Sequence, residues 1–116
     1  MKRQEAERFG RWGERRAEWW LRFQGWRILD QRIKLRAGEI DLIARRGKTT
    51  AFIEVKTRAT ATALDLAIDE YRLRRVAAAV NSVSHRYARA GDDIRIDIIL
   101  IAPRTWPRHL VNVWHG

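Results

Sequence analysis

With 116 residues, 46% of them hydrophobic, and no cysteine, the chain is expected to fold as one domain over residues 1–116 without disulfides or a thiolate zinc site. Its apolar runs, such as Ile98 to Ala102, fall short of the roughly 20 residues of a membrane span, and no apolar stretch follows the charged start Met1 to Glu5, so a cytoplasmic protein with no membrane partner and no secretory signal is expected. The 24 Lys and Arg exceed the 14 Asp and Glu for a net charge of +10; the excess is mostly arginine, explained either by phosphate-backbone binding or by a plain compositional bias toward Arg and Ala.

Residues 3 to about 24 read as the first helix. Ala6, Phe9, Gly13, Ala17, Trp20 and Leu21 recur at three- and four-residue spacing and form one apolar stripe, with Gly25 placed to end it. Gly10 and Gly13 inside this helix each cost about 1 kcal/mol relative to Ala, which is tolerated where another backbone or a substrate comes close. Trp26 to about Lys34 reads as a first strand with a polar bend at Asp30-Gln31. Two clearer strands follow. Glu39 to Arg45 sets Ile40, Leu42 and Ala44 against Glu39, Asp41 and Ile43; Ala51 to Thr57 sets Ala51, Ile53 and Val55 against Phe52, Glu54 and Lys56. Gly47-Lys48 between them suits a two-residue type II′ turn.

A second helix is predicted from about Leu64 to Arg89. Leu64, Ile68, Tyr71, Val76, Ala79, Val80, Val83 and Tyr87 mark its buried side, and Gly91-Asp92-Asp93 ends it. Ile94 to Ile101 reads as a core strand and, past Pro103 and Pro107, Leu110 to Trp114 as the last. The order α-β-β-β-α-β-β predicts an α/β sandwich around a mixed sheet.

The hairpin register carries the chemistry. With Gly47 and Lys48 as the turn, Asp41 lies across from Glu54 and Glu39 across from Lys56. Opposed side chains have Cβ atoms about 4.5–5.5 Å apart on one face. Two carboxylates that close need a proton or a cation between them. Mg²⁺ suits such a pair, because it takes carboxylate and carbonyl oxygens and bridges to phosphate. Lys56 lies on the same face, roughly 6.6–6.8 Å beyond Glu54 by strand rise. Metal plus lysine beside a phosphate is a phosphodiesterase layout. The plain alternative is a charged solvent face on a hairpin. Two features count against it: between Gln31 and Leu64 the only acids are Glu39, Asp41 and Glu54, all on one face, and Asp41 meets another acid rather than a base.

The run Gly38-Glu39-Ile40-Asp41-Leu42-Ile43-Ala44, followed by Phe52-Ile53-Glu54-Val55-Lys56-Thr57-Arg58, closely resembles the YraN-like family of uncharacterised bacterial proteins. That family is placed within the PD-(D/E)xK nuclease superfamily, near archaeal Holliday-junction resolvases. The similarity covers nearly the whole chain, including Gly13-Glu14, Ala17, Leu21 and Gly25 in the first helix and Arg95-Ile96-Asp97 for the family's Arg-Phe-Asp. It implies a restriction-endonuclease-like fold, a mixed β-sheet flanked by helices. It further implies Asp41 and Glu54 as ligands of Mg²⁺ (or Mn²⁺), helped by the Val55 carbonyl, with Lys56 as catalytic lysine and Glu14 as a further helix carboxylate. Glu14 has a second reading, as a flank residue paired along its own helix. Resolvases of the superfamily act as dimers, so the resemblance implies an isologous homodimer.

Glu39, Arg58, Arg72 and Arg75 are the candidate nucleic-acid-binding residues around the motif. Arg72 stands where the family has a lysine in the second helix; with Arg75 it is placed on the buried side, reaching toward phosphate or snorkelling from the helix edge. Ala59 to Ala63 replaces the family's Phe-Gly, which points to a different substrate contact. Of the six tryptophans, Trp20 and Trp26 read as core. Trp12 and Trp19 fall off the stripe, as bases' stacking partners or as protein contacts. His85, His109 and His115 match no metal spacing. Two functions follow: a metal-dependent endonuclease acting on DNA, branched or damaged, or a non-catalytic nucleic-acid-binding module retaining the nuclease fold. A mere binder has no need of Asp41 opposite Glu54, which favours the enzyme, with DNA preferred over RNA.

Overall fold

The computed structural model describes residues 2–60 and 69–114. The element order is α1 (Arg3–Phe23), β1 (Arg27–Lys34), β2 (Glu39–Arg46), β3 (Thr49–Thr57), α2 (Glu70–Tyr87), β4 (Asp93–Ile101) and β5 (Arg108–Leu110), the order expected from the sequence. The strands form one five-stranded sheet in sequential order. β1–β2, β2–β3 and β4–β5 are antiparallel, whereas β3 and β4 run parallel, joined by the segment that contains α2. The sheet is therefore mixed, as a parallel pair needs a long crossover.

Among the described residues, each face of the sheet is covered by one helix. Ala17 and Leu21 of α1 pack with Trp26, Leu42, Ala44, Ala51, Ile53, Ile99 and Ile101. On the other face Leu73, Val76, Ala77, Ala79, Val80 and Val83 of α2 pack with Ile43, Phe52, Ile96, Ile98 and Leu100. Burial on both faces explains why strand positions predicted to alternate are apolar on either side. A fully buried side chain such as Phe52 or Leu21 contributes roughly 1.5–3 kcal/mol. Ile40 departs from the alternation and joins the α2-side cluster. Among the described residues no helix is long and apolar enough to cross a membrane.

Several boundaries move, each for a local reason. The bend expected at Asp30-Gln31 is a register shift between Ile28 and Asp30. α2 begins at Glu70 rather than near Leu64, because Asp69 is extended (φ −129°) and its side chain accepts from the Tyr71 and Arg72 N–H groups as an N-cap. Leu64 and Ile68 lie outside the described residues. The helix ends at Tyr87, two residues early, with Ala88 extended. The last strand is Arg108–Leu110 rather than 110–114: Asn112 takes a left-handed φ of 54° that interrupts an extended run. Tyr71, expected on the buried side of α2, is 63% exposed; Leu73 takes the inward position. Trp26 is core as expected, Trp20 only half-buried, and Trp12 packs against the α1-side cluster instead of standing free.

Candidate active site

The β2–β3 hairpin has the expected register, Leu42 opposite Ile53 and Arg46 opposite Thr49, with Gly47 at φ 60° in the turn. One residue past the Leu42–Ile53 pair the ladder stops. There Asp41 Oδ2 accepts a 2.7 Å hydrogen bond from the Val55 backbone N–H. A side chain thus takes the place of a ladder carbonyl, and the Asp41 carboxylate is fixed at the strand end beside Glu54.

Glu54 and Lys56 share the sheet face of Phe52 and are nearly closed off, 3% and 5% exposed. Glu54 Oε1 accepts from the Arg72 Nε of α2 at 2.9 Å and pairs with Lys56 Nζ at 3.2 Å. Glu54 Oε2 is buried and has no hydrogen-bond partner among the described residues. Leaving a buried acceptor unanswered costs on the order of 1–3 kcal/mol, more for a charged group, so the atom is an open position for a donor or cation.

The electrostatics follow from this crowding. Burial raises the Asp41 carboxyl from 3.8 to about 6; the Val55 N–H opposes the rise, Glu14 and Glu54 add to it, and Arg72 relieves it. Burial also lowers the Lys56 ammonium from its ordinary value; Glu54 resists and Arg72 assists. Both shifts move proton exchange toward neutral pH.

Glu14 reaches the site because α1 lies hard against β3. A Cβ on Gly13 would stand 1.9 Å from Thr57 Oγ1, so only glycine permits this approach. Glu14 pairs with Arg32 of β1, whose Nε donates to Oε1 at 3.1 Å, and not with a helix neighbour. Arg32 itself holds a left-handed φ of 54° and sits opposite Asp41, between the pairs Gln31–Leu42 and Ile33–Ile40. For a non-glycine residue that conformation costs of order 1–3 kcal/mol.

Three adjoining cavities meet here. One is lined by Glu39, Asp41, Glu54, Tyr71, Arg72 and Arg75; a second by Glu14, Arg32, Glu39 and Asp41 among others; a third by Phe9, Glu14, Val55, Lys56, Arg58 and Arg72 among others. Asp41, Glu14 and Arg72 are each shared between two of them. All nine residues singled out from the sequence therefore border these adjoining cavities at the end of β2 and β3. Details differ from expectation. Glu39 is exposed and stands in register with Lys34 of β1, while the ion partner of Lys56 is Glu54. Arg72 and Arg75 lie on the exposed edge of α2, not its buried side, and Arg72 reaches in to Glu54. The Arg58 guanidinium donates to its neighbour's carbonyl, Thr57 O, at 2.8 Å.

Sequence reasoning missed Arg32, Tyr71 as a cleft-rim residue, and His109. No local pattern marks Arg32, because its role depends on the β1 bulge and the left-handed turn of its own backbone. His109 contacts Asp97 at 2.8 Å, a pairing set by β5 docking beside β4.

A family model described as "Uncharacterised protein family UPF0102" matches residues 13–101. The chain is 63% identical over 114 residues to a UPF0102 protein of Sphingopyxis alaskensis, covering 98% of each chain. It is 62% identical over 114 residues to one of Erythrobacter litoralis, again covering 98% of each. A UPF0102 protein of Rhizorhabdus wittichii is 59% identical over 115 residues, covering 99% of this chain and 98% of its own.

Proposed function

The chain belongs to the uncharacterised UPF0102 (YraN-like) family, and from its buried acid–lysine cluster we propose a metal-dependent endonuclease that hydrolyses phosphodiester bonds in DNA, branched or damaged DNA included. The observation that carries this reading is Glu54: one oxygen holds Lys56 and Arg72, and the other is buried with no partner among the described residues. Perturbed, desolvated groups gathered in a cleft mark functional sites. The likeness of the central motif to PD-(D/E)xK nucleases supports the same reading.

The donor set suits Mg²⁺ or Mn²⁺. Among the described residues no three acidic, imidazole or thiol side chains close into a ready-made metal cage. Mg²⁺ needs few protein ligands, because it keeps several waters and binds through one or two carboxylates plus phosphate. Asp41, Glu54 and the Val55 carbonyl would hold it. When bound, the ion supplies charge neutralisation and Lewis-acid polarisation of a phosphate oxygen. The chain's own groups do the rest. Lys56, with its ammonium lowered by burial, orients a water or donates to charge building on the phosphate oxygens. Glu14, steadied by Arg32, adds a third carboxylate at the cleft. Arg58, Arg72 and Arg75 line the cleft and supply backbone contacts.

One observation favours a second reading, a module that binds nucleic acid without cutting: Arg72 and Lys56 already neutralise Glu54 Oε1. Cleavage of labelled duplex, single-stranded and four-way-junction DNA with Mg²⁺ or Mn²⁺ separates the two. Metal-dependent cutting that falls at least about 100-fold in Glu54→Ala and Lys56→Ala supports the enzyme. Binding by all three proteins with no cutting supports the module. A homodimer in the cytoplasm is part of the proposal, and a particle mass of one 13.7 kDa chain at high concentration would remove the dimer.

A further inference from the structure

The outward side of α1 carries a track that begins at the rim of the cleft and runs away from it. Phe9 lines the cavity of Lys56 and Arg58, and Trp12 stacks on Phe9 with ring centroids 5.5 Å apart and planes 8° apart. Arg16 lies over the Trp12 ring at 5.2 Å. Trp19 and Phe23 continue the same helical line, at three- and four-residue steps, and are 63% and 87% exposed. Beside them Trp106, 80% exposed, leans on Trp20 at 6.0 Å. From Phe9 to Phe23 the track runs about 21 Å at 1.5 Å per residue. Gly13, Ala17 and Leu21 are buried against the sheet and Trp12 packs at the edge of that core, whereas Trp19 and Phe23 stand clear of it.

We propose that this track is a binding site for single-stranded nucleic acid, which leaves the cleft past Phe9 and the Trp12–Arg16 pair and stacks its unpaired bases on Trp19 and Phe23. Charge selects the occupant. Arginine is threaded through the rings at Arg16 and flanks them at Arg8 and Arg15, all exposed. Flat rings interleaved with cations suit bases joined by phosphates. A second copy of the chain suits them poorly, since a two-fold axis through the middle of the track would set Arg15 and Arg16 against themselves. A lipid surface suits them poorly too. An interfacial helix separates its apolar face from its cations, and here the two share one line while the apolar face is buried in the sheet.

The proposal rests on the nucleic-acid part of the reading above and not on cleavage, so its test is binding in metal-free buffer. Fluorescence anisotropy would follow a labelled dT20 and a 20-base-pair duplex against the native chain and a Trp19→Ala, Phe23→Ala double variant. Circular dichroism checks that the variant folds. Tighter binding of dT20 than duplex, with dT20 affinity falling about tenfold or more in the variant and duplex affinity within about twofold, supports the site. Equal affinity of native protein for both probes, no dT20 binding, or an unchanged dT20 affinity in the variant overturns it. Two control arms do so as well: a native dimer that the variant dissociates, or native binding to anionic phosphatidylserine vesicles that the variant loses while keeping dT20. If dT20 binding behaves as expected and no DNA is ever cut, the enzyme reading fails and the track stands.

Discussion

Two carboxylates on the strands flanking β3, the buried Asp97 of β4 and the half-buried Asp41 of β2, have opposite surroundings. Asp97 of β4 is fully buried and stands in register with Ile53, one residue from Glu54. Arg95 Nη2 donates to it at 2.8 Å, the Asn112 backbone N–H at 2.9 Å, and His109 Nε2 is bonded to it at 2.8 Å. Burial by itself would raise this carboxyl; the His109, Arg95 and Asn112 bonds outweigh burial and hold it below the usual value. Asp41 has one backbone N–H against burial and two neighbouring acids, and burial wins. The contrast separates a carboxylate that ties β5 and the chain beyond it to β4 from one that is kept available. Satisfaction of lone pairs, not burial, decides which is which.

The sharpest way to break that comparison is Asp97→Ala. It strands Arg95 and His109 and removes the partner of the Asn112 N–H, so urea unfolding should show a loss of about 3–5 kcal/mol. A loss below about 1 kcal/mol would mean that the Asp97 cluster is not the structural tie its bonds suggest. Next, Gly13→Ala should cost about 1–3 kcal/mol, because its Cβ would collide with Thr57, and adding Thr57→Ala should recover part of that. Full tolerance of the single change would mean that α1 does not press on β3 as described.

Asp41→Asn keeps an acceptor for the Val55 N–H and removes the penalised charge. The sign follows from the shift: a carboxyl raised from 3.8 to about 6 favours the protonated folded state, so its contribution is full below pH 3.8 and lost as pH rises through about 6. The variant should therefore be more stable than the native chain by about 1–3 kcal/mol at pH 8, with the gain gone near pH 4. Asp97 has the reverse signature, losing its stabilisation as pH falls below the ordinary value of 3.8. Thermal melts from pH 3 to pH 8 read both, and an Asp41→Asn gain independent of pH would contradict the assignment. Gly10→Ala should show the smallest effect. A Cβ there meets nothing within 4 Å among the described residues, so the helix should gain about 0.5–1 kcal/mol, checked by the same melts.

Much of the cleft was legible because it is local. Alternation across one short hairpin sets the side on which Asp41, Glu54 and Lys56 stand, and a two-residue turn leaves one register. The Gly13-Glu14 pair marked the helix approach through the cost of a glycine in mid-helix. Other parts were not legible. The burial of both sheet faces hid which side of α2 points inward, so Arg72 and Tyr71 were placed too deep. The last strand was read two residues late, since nothing in Leu110 to Trp114 announces a left-handed Asn112. Arg32 and His109 act only through partners 18 and 12 residues away in sequence.

The sequence by itself determined the element order, the hairpin register, the basic character and the acid–lysine set, since each depends on periodicity or spacing within a few residues. Only the tertiary structure decided that Glu54 has one oxygen taken and one unanswered, that Asp41 is pushed up to about 6, that Arg32 steadies Glu14, and that aromatic rings lead out along α1. Those are properties of desolvation and long-range packing. They exist only once distant segments exclude water from the same volume.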